Sequence, residues 1–259
     1  MRKIFGLLFF AALCSCQKTV TLPLDTAPSQ IVINGEVTDQ PGPYTVSINK
    51  SVGFYQLNSF PAVSGAAVSI SDGQITDTLT ETTAGIYTTH TLQGRSGATY
   101  ALNVKIGNTS YTASSTMPAP VQLDSVTFDH SSRFRKDQIN PQANYQDPPG
   151  VKNYYQFTLT INGVPFTKDL FPFDDRLSDG KYIVQTLRMD SSYLVVGDQL
   201  KVGMYCIDEN VYNYFNQLQQ ALGINNLGVS PANPSSNINN GAYGVFSAHT
   251  VSSKTVTVY

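Results

Sequence analysis

Ile31-Val32-Ile33-Asn34-Gly35-Glu36-Val37 and, after a break, Tyr44-Thr45-Val46-Ser47-Ile48 decide the fold class. Apolar residues recur at every second position (31, 33, 37; 44, 46, 48), the spacing of strands that bury one face and wet the other. Pro41-Gly42-Pro43 between them supplies the break, because proline removes a ladder donor and glycine relaxes the turn. The pattern continues through Ala67-Val68-Ser69-Ile70, Thr78-Leu79-Thr80 and Tyr100-Ala101-Leu102-Asn103-Val104. Ser71-Asp72-Gly73 and Gly107-Asn108 are the turns among them. Short strands at this spacing indicate an all-β, mainly antiparallel chain whose residues 30–118 form a sandwich.

Two local features give that sandwich a type. Leu92 to Thr99 forms a glycine-containing turn that delivers Tyr100 at the start of a strand, which resembles the tyrosine corner of immunoglobulin-like domains, where the phenol ties the chain to backbone a few residues upstream. Val63 to Val68 and Thr82-Thr83-Ala84-Gly85-Ile86-Tyr87 resemble small transthyretin-like modules, with Gly85 relaxing a turn and Tyr87 covering one end of the core.

Met117-Pro118-Ala119-Pro120 marks a boundary, and residues 119–259 are expected to form a second β-rich domain. Asp129 to Gly150 is polar and carries Asn140-Pro141 and Asp147-Pro148-Pro149-Gly150, so it is expected to be a surface loop. Strand signals return at Tyr154 to Ile161, with Asn162-Gly163 as a hairpin turn, and again at Tyr182 to Leu187. Cys206 sits in a further run, Leu200 to Ile207. One helix is expected near 209–222: Asp208-Glu209-Asn210 supplies a cap, Val211, Tyr214, Phe215, Leu218 and Leu222 share a face expected to pack on the sheet, and Gly223 ends it. Gly244 to Ala248 and Thr255 to Val258 read as two closing strands.

The amino terminus fixes where such a protein works. Met1 to Cys16 has a basic start (Arg2, Lys3) and an apolar run from Ile4 to Leu13, too short to span a membrane. Leu13-Cys14-Ser15-Cys16 places an aliphatic residue three positions before a cysteine and a small residue just before it, as a lipobox requires. Residues 1–15 therefore read as a lipoprotein signal peptide, Cys16 as the acylated residue, and 16–29, with Pro23 and Pro28, as a tether.

Composition agrees with an exported protein and excludes some roles. The formal charge is −2, and removing residues 1–15 takes away Arg2 and Lys3, so it moves to −4. No basic footprint for nucleic acid remains. With Cys16 acylated and Cys14 removed, Cys206 is left as a lone thiol, expected in a strand core, and no disulfide framework is possible.

Catalytic and metal-binding patterns are absent from the sequence. His90, His130 and His249 lack metal-ligand spacing, and no serine sits in a G-x-S-x-G elbow. Asp174, Asp175 and Asp179, with Arg176 among them and Gly180 after, form the densest carboxylate group. The spacing fails the EF-hand pattern, so an arginine-tied surface turn is the expectation. No cofactor or metal site is expected. The loops around Asp174 to Asp179 and around Asn233 and Asn237, together with the abundant tyrosines of the second half, suit recognition.

Four stretches resemble one family: Gly35 to Tyr44; Pro61 to Ser71; Phe173-Asp174-Asp175-Arg176-Leu177-Ser178-Asp179-Gly180; and Pro231 to Ile238 running into Gly241 to Phe246. The chain is similar there to the Bacteroidota lipoprotein family catalogued as domain of unknown function 4249. The resemblance implies an outer-membrane lipoprotein, often associated with TonB-dependent transporters, and transfers no catalytic residue. The expected role is thus a non-enzymatic binding or accessory subunit, lipid-anchored through Cys16 on the periplasmic or the outer face. The competing roles are a cell-envelope hydrolase and a structural or adhesive surface protein.

Overall fold

The computed structural model describes residues 28–53, 60–130, 138–189, 193–222 and 233–259. The expected signal peptide, Cys16 and all of the expected tether but its last two residues lie outside that set. Among the described residues are fifteen strands and one helix: β1 (Ile31–Thr38), β2 (Thr45–Lys50), β3 (Ala67–Ser71), β4 (Thr76–Thr78), β5 (Thr80–Thr83), β6 (Ile86–Thr88), β7 (Thr99–Ile106), β8 (Thr109–Thr116), β9 (Ser125–Asp129), β10 (Asn140–Gln146), β11 (Tyr154–Ile161), β12 (Val164–Asp174), β13 (Tyr182–Thr186), β14 (Gln199–Ile207), α1 (Glu209–Ala221) and β15 (Tyr243–Thr257). No helix among them is long and apolar enough to cross a membrane. The fold is all-β and mainly antiparallel.

The strands make three sheets, ordered β12-β11-β14-β15-β1-β2-β6-β5, β13-β10-β9 and β4-β3-β7-β8. The largest is joined in its middle by β15, which serves two neighbours in succession. Val32 to Thr38 pair with Tyr243 to His249 in parallel, and Gln199 to Cys206 pair with Thr257 to Thr250 antiparallel. The sequence suggested two short strands here, because the polar stretch His249 to Lys254 interrupts the apolar pattern. That stretch is where the strand passes from one partner to the other, and it stays extended because its backbone groups find β14.

Two apolar cores result. The first lies between the β1 side of the large sheet and the β4-β3-β7-β8 sheet; Ile33, Val46, Ile48, Ile70, Tyr87, Tyr100, Leu102 and Val104 fill it. The second lies between the β12-β11-β14 side and the β13-β10-β9 sheet, and contains Leu123, Ala143, Tyr145, Tyr155, Phe157, Leu200, Met204 and Cys206. Phe246 and Ala248 of β15 join the first core, and Val258, just after the strand, joins the second. Met117 belongs to one core and Val121 to the other, with Pro118 and Pro120 between.

Local chemistry explains several joints. The Tyr100 hydroxyl accepts from the Arg95 amide at 2.8 Å, the upstream tie of a tyrosine corner. Tyr87 is buried, donates to the Val63 carbonyl at 3.0 Å and accepts from the Ala66 amide at 2.9 Å. Gly85 has φ +73°, and a Cβ there would stand 2.6 Å from the Ile48 carbonyl oxygen, so the turn needs glycine. Asn162 and Gly163 both take positive φ and join β11 to β12, as a type I′ hairpin requires. Cys206 is buried and its Sγ accepts from the Val121 amide at 3.3 Å. Burial pushes its thiol pKa up.

One expectation is corrected. Residues 140–146, assigned above to a surface loop, are β10, the central strand of its sheet. Pro141 is tolerated because the pairing with β13 begins only at Gln142, leaving the proline at the strand's start. Within β10 the side chains on the core side are the buried Pro141, Ala143 and Tyr145, too thin an apolar signal to outweigh Asn140-Pro141. The polar alternates pair across the sheet: Asn144 Nδ2 donates to Thr127 Oγ1 at 3.1 Å, and Gln142 Nε2 to Thr186 Oγ1 at 3.2 Å.

Candidate functional site

Period-2 geometry means that every strand feeding the cores presents its alternate residues to the opposite face. On β1 these are Asn34 and Glu36, and on β15 they are Val245, Ser247 and His249; the parallel register sets Asn34 beside Val245 and Glu36 beside Ser247. Helix α1 covers this face. Asp208 caps it, its Oδ1 accepting from the Val211 amide at 2.9 Å, and Val211 and Tyr212 are buried. The stripe expected to pack on the sheet does so only in part. Tyr214, Phe215 and Leu218 instead roof a cavity of about 540 Å³ whose floor is the sheet. Leu222 is exposed.

The cavity has the size of a small-ligand site and the matching composition, an apolar lining with a few polar groups. Phe166, Phe171, Tyr205, Tyr214 and Phe215 supply rings; Asn34, Glu36, Gln156, Asp169, Ser247 and His249 supply polar atoms. Tyr205 stacks on His249 with centroids 4.7 Å apart. Gln156 is buried, and its Oε1 has no partner. The Glu36 carboxylate reaches the water of the cavity, yet the surrounding protein desolvates it enough to raise its pKa.

Ser247 Oγ and His249 Nδ1 lie 2.9 Å apart, a distance that invites a hydrolase reading. Burial, opposed by the negative charge of Asp39, pushes the His249 pKa down to about 4, so the ring is neutral at pH 7 and a weak base. Both side chains are also nine-tenths buried and sit two apart on one strand. The pair is better read as two buried polar atoms satisfying each other.

The carboxylate group singled out in the sequence is split by the structure. Asp174 turns to Arg176, whose Nε and terminal nitrogen reach its two oxygens at 2.9 and 2.8 Å, and to the Tyr212 hydroxyl, which donates at 2.7 Å. Burial raises the Asp174 pKa, but Arg176 and Tyr212 outweigh it and hold the carboxyl low. Asp175 and Asp179 turn the other way and meet Asp147, with ligand oxygens of all three within 4.8 Å of one another. Among the described residues this is the group of carboxylates that could hold a metal ion. Each also accepts a backbone amide: Asp147 from Gly180 at 3.0 Å, Asp175 from Asn153 at 2.7 Å and Asp179 from Gly150 at 2.8 Å. The Tyr155 hydroxyl donates to Asp147 at 2.5 Å. These bonds knot the loop after β10 to the loop after β12, and none of the three aspartates lines the cavity.

The asparagines of the other loop make structural bonds. Asn237 accepts from the Phe246 amide at 3.0 Å and donates to its carbonyl at 2.7 Å, so a side-chain amide stands in for a neighbouring strand along β15. Asn233 Nδ2 donates to the Tyr243 hydroxyl at 3.1 Å. Neither lines the cavity.

Sequence reasoning thus missed Glu36, Gln156, Ser247 and the cavity side of His249. The available signal was the polar alternation itself, Asn34 and Glu36 on one strand, Thr45 and Ser47 on the next. Such alternation is also what any solvated strand face shows, so only the helix laid across it makes a site. Asp147 was missed because its partners lie about thirty residues away in sequence.

Comparison with known proteins adds family membership and no activity. No curated protein matches the chain. The family described as domain of unknown function (DUF4249) matches residues 17–255, which takes in the helix and every residue that lines the cavity. The chain belongs to the DUF4249 family.

Proposed function

We propose that this protein is a non-catalytic binding subunit of the cell envelope that holds a small ligand in the cavity between α1 and the large sheet. The observation that carries the reading is the cavity of about 540 Å³, ringed by aromatic side chains and floored by Glu36, Ser247 and His249. The depressed pKa of His249 supports binding over hydrolysis, since its ring is a weak base near pH 7. The lipobox at Leu13 to Cys16 supports anchoring through an acylated Cys16 in the outer membrane, and the family resemblance supports a TonB-dependent transporter as partner.

The binding part is tested with Nile red, a neutral dye whose emission rises in apolar surroundings. The mature protein should enhance it, and Thr45→Trp, which fills the cavity from β2, should abolish the enhancement without lowering the melting temperature. Equal emission from both proteins would refute the cavity as a binding site. Cys16→Ser tests the anchor: the variant should leave the membrane fraction, and a variant that stays there with lipid attached refutes it.

A further inference from the structure

We infer that the cavity takes an organic cation, an amine whose ammonium group sits against Glu36 and whose carbon chain lies along the rings of Tyr205, Tyr214 and Phe215. The inference rests on the cavity being the binding site and adds the chemical class of what enters it. Three features point the same way.

First, the charge is one-sided. Glu36 and Asp169 line the cavity, and none of the described lysines or arginines does. A bound anion would be repelled by the Glu36 carboxylate, whereas an ammonium would find that carboxylate accessible in a partly desolvated setting, where the attraction is stronger than in bulk water.

Second, the walls suit a cation. Aromatic faces carry partial negative charge and attract ammonium groups, with more effect where water is displaced. Tyr205, Tyr214 and Phe215 pack in one cluster with Val245, the strand neighbour of Ser247, which itself stands beside Glu36.

Third, the cavity offers an unused acceptor. Gln156 is 4 % exposed, and its Oε1 has no hydrogen-bond partner. A buried carbonyl left unpaired is costly, so a small turn of this lining side chain toward a donor on the ligand would relieve it. Gln156 is on β11 and Glu36 on β1, with β14 and β15 between them. The fitting ligand therefore carries donors at two separated points.

Three chains of equal length separate the possibilities: 1,8-diaminooctane, 1,8-octanediol and suberate, each titrated calorimetrically at pH 7.5 in low salt. The diamine should bind at least tenfold more tightly than the diol, and suberate should give no heat of binding. Glu36→Gln should weaken the diamine at least tenfold and the diol and Nile red by far less. Gln156→Leu should weaken diamine and diol alike. Thr45→Lys, which brings a positive charge into the cavity from an exposed position, gives a second variant that leaves the carboxylate in place, and it should abolish diamine binding. Melting temperatures establish that each variant is folded. A diamine no tighter than the diol, or undiminished in Glu36→Gln, overturns the cation inference. If Nile red still binds wild type and not Thr45→Trp, that failure leaves the binding site standing; if Nile red also fails, the site falls with it.

Discussion

Asp208 and Ser115 join the helix to the first sandwich through one short hydrogen bond: the Ser115 hydroxyl donates to Asp208 Oδ2 at 2.5 Å. The same carboxylate caps α1 with its other oxygen and also accepts from the Thr116 amide at 3.0 Å. Ser115 in turn accepts from the Ala248 amide at 2.8 Å. The roof of the cavity, strand β8 and strand β15 are thus fixed to one another by two side chains.

Asp208→Ala should therefore cost more than a lost helix cap. A cap is worth about 1 kcal/mol, and the bonds to Ser115 and Thr116 each add about 1 kcal/mol. The expected loss is about 3 kcal/mol, read from urea denaturation, with Nile red binding weakened because the roof loosens. Asp208→Asn should recover about half. A loss below about 1 kcal/mol would show that the coupling is not made.

Acid sensitivity should centre on Asp77. Burial alone would raise its pKa, but the amides of Thr91, Leu92 and His90 donate to it and bring it down to about 2. A group depressed in the folded state stabilises the protein above its unfolded pKa and loses that effect as pH falls toward the folded value. The contribution, on the order of 2 kcal/mol, should be present at neutral pH and fade between about pH 4 and pH 2. Thermal melts of wild type and Asp77→Asn should differ at pH 7 and converge toward about pH 2. A gap that is constant with pH would contradict the assignment.

The two directions taken by the acidic loop predict opposite outcomes for neighbouring substitutions. Arg176 is 79 % exposed, so Arg176→Ala should cost less than about 1 kcal/mol. Asp147→Ala leaves the Tyr155 hydroxyl and the Gly180 amide without partners inside the structure and should cost about 2–4 kcal/mol. Denaturant midpoints of the two variants give the comparison. Equal losses would mean that the buried knot is not a stabilising feature.

Gly244 should resist any side chain. Its φ is +96°, and a Cβ would lie 2.0 Å from the Ile33 carbonyl oxygen, so Gly244→Ala must push β15 away from β1. The variant should lose several kcal/mol or fail to fold, whereas Gly163→Ala, with open space around it, should lose about 1 kcal/mol from its positive φ alone.

The sequence carried the fold class because alternation is a local property: Ile33 and Val37, or Leu102 and Val104, announce a buried face without knowledge of what covers it. The tyrosine corner, the Asn162-Gly163 hairpin and the Asp208 cap were legible for the same reason, each being settled within a few residues. Strand β10 was not, since its pairing with β9 and β13 outweighs a composition that reads as loop. Nor was the site. Asp174 and Asp175 are adjacent in sequence yet face different partners, and Glu36 and Ser247 meet only because β1 and β15 run side by side in parallel.

That parallel pairing bears on how the chain reaches its folded state. Val32 is partnered by Tyr243, a residue 211 positions later, and the second core is closed by Val258 near the other end of β15. Neither sandwich can acquire its full complement of strands until residues 243–257 arrive. A chain whose decisive contacts are this distant in sequence folds slowly. During that interval both halves of the large sheet present an unpaired edge, β1 and β14, open to pairing with another molecule. A protein delivered across a membrane in the unfolded state would meet this interval after delivery, so the envelope's chaperones, and not the ribosome's, would be the ones required to guard it.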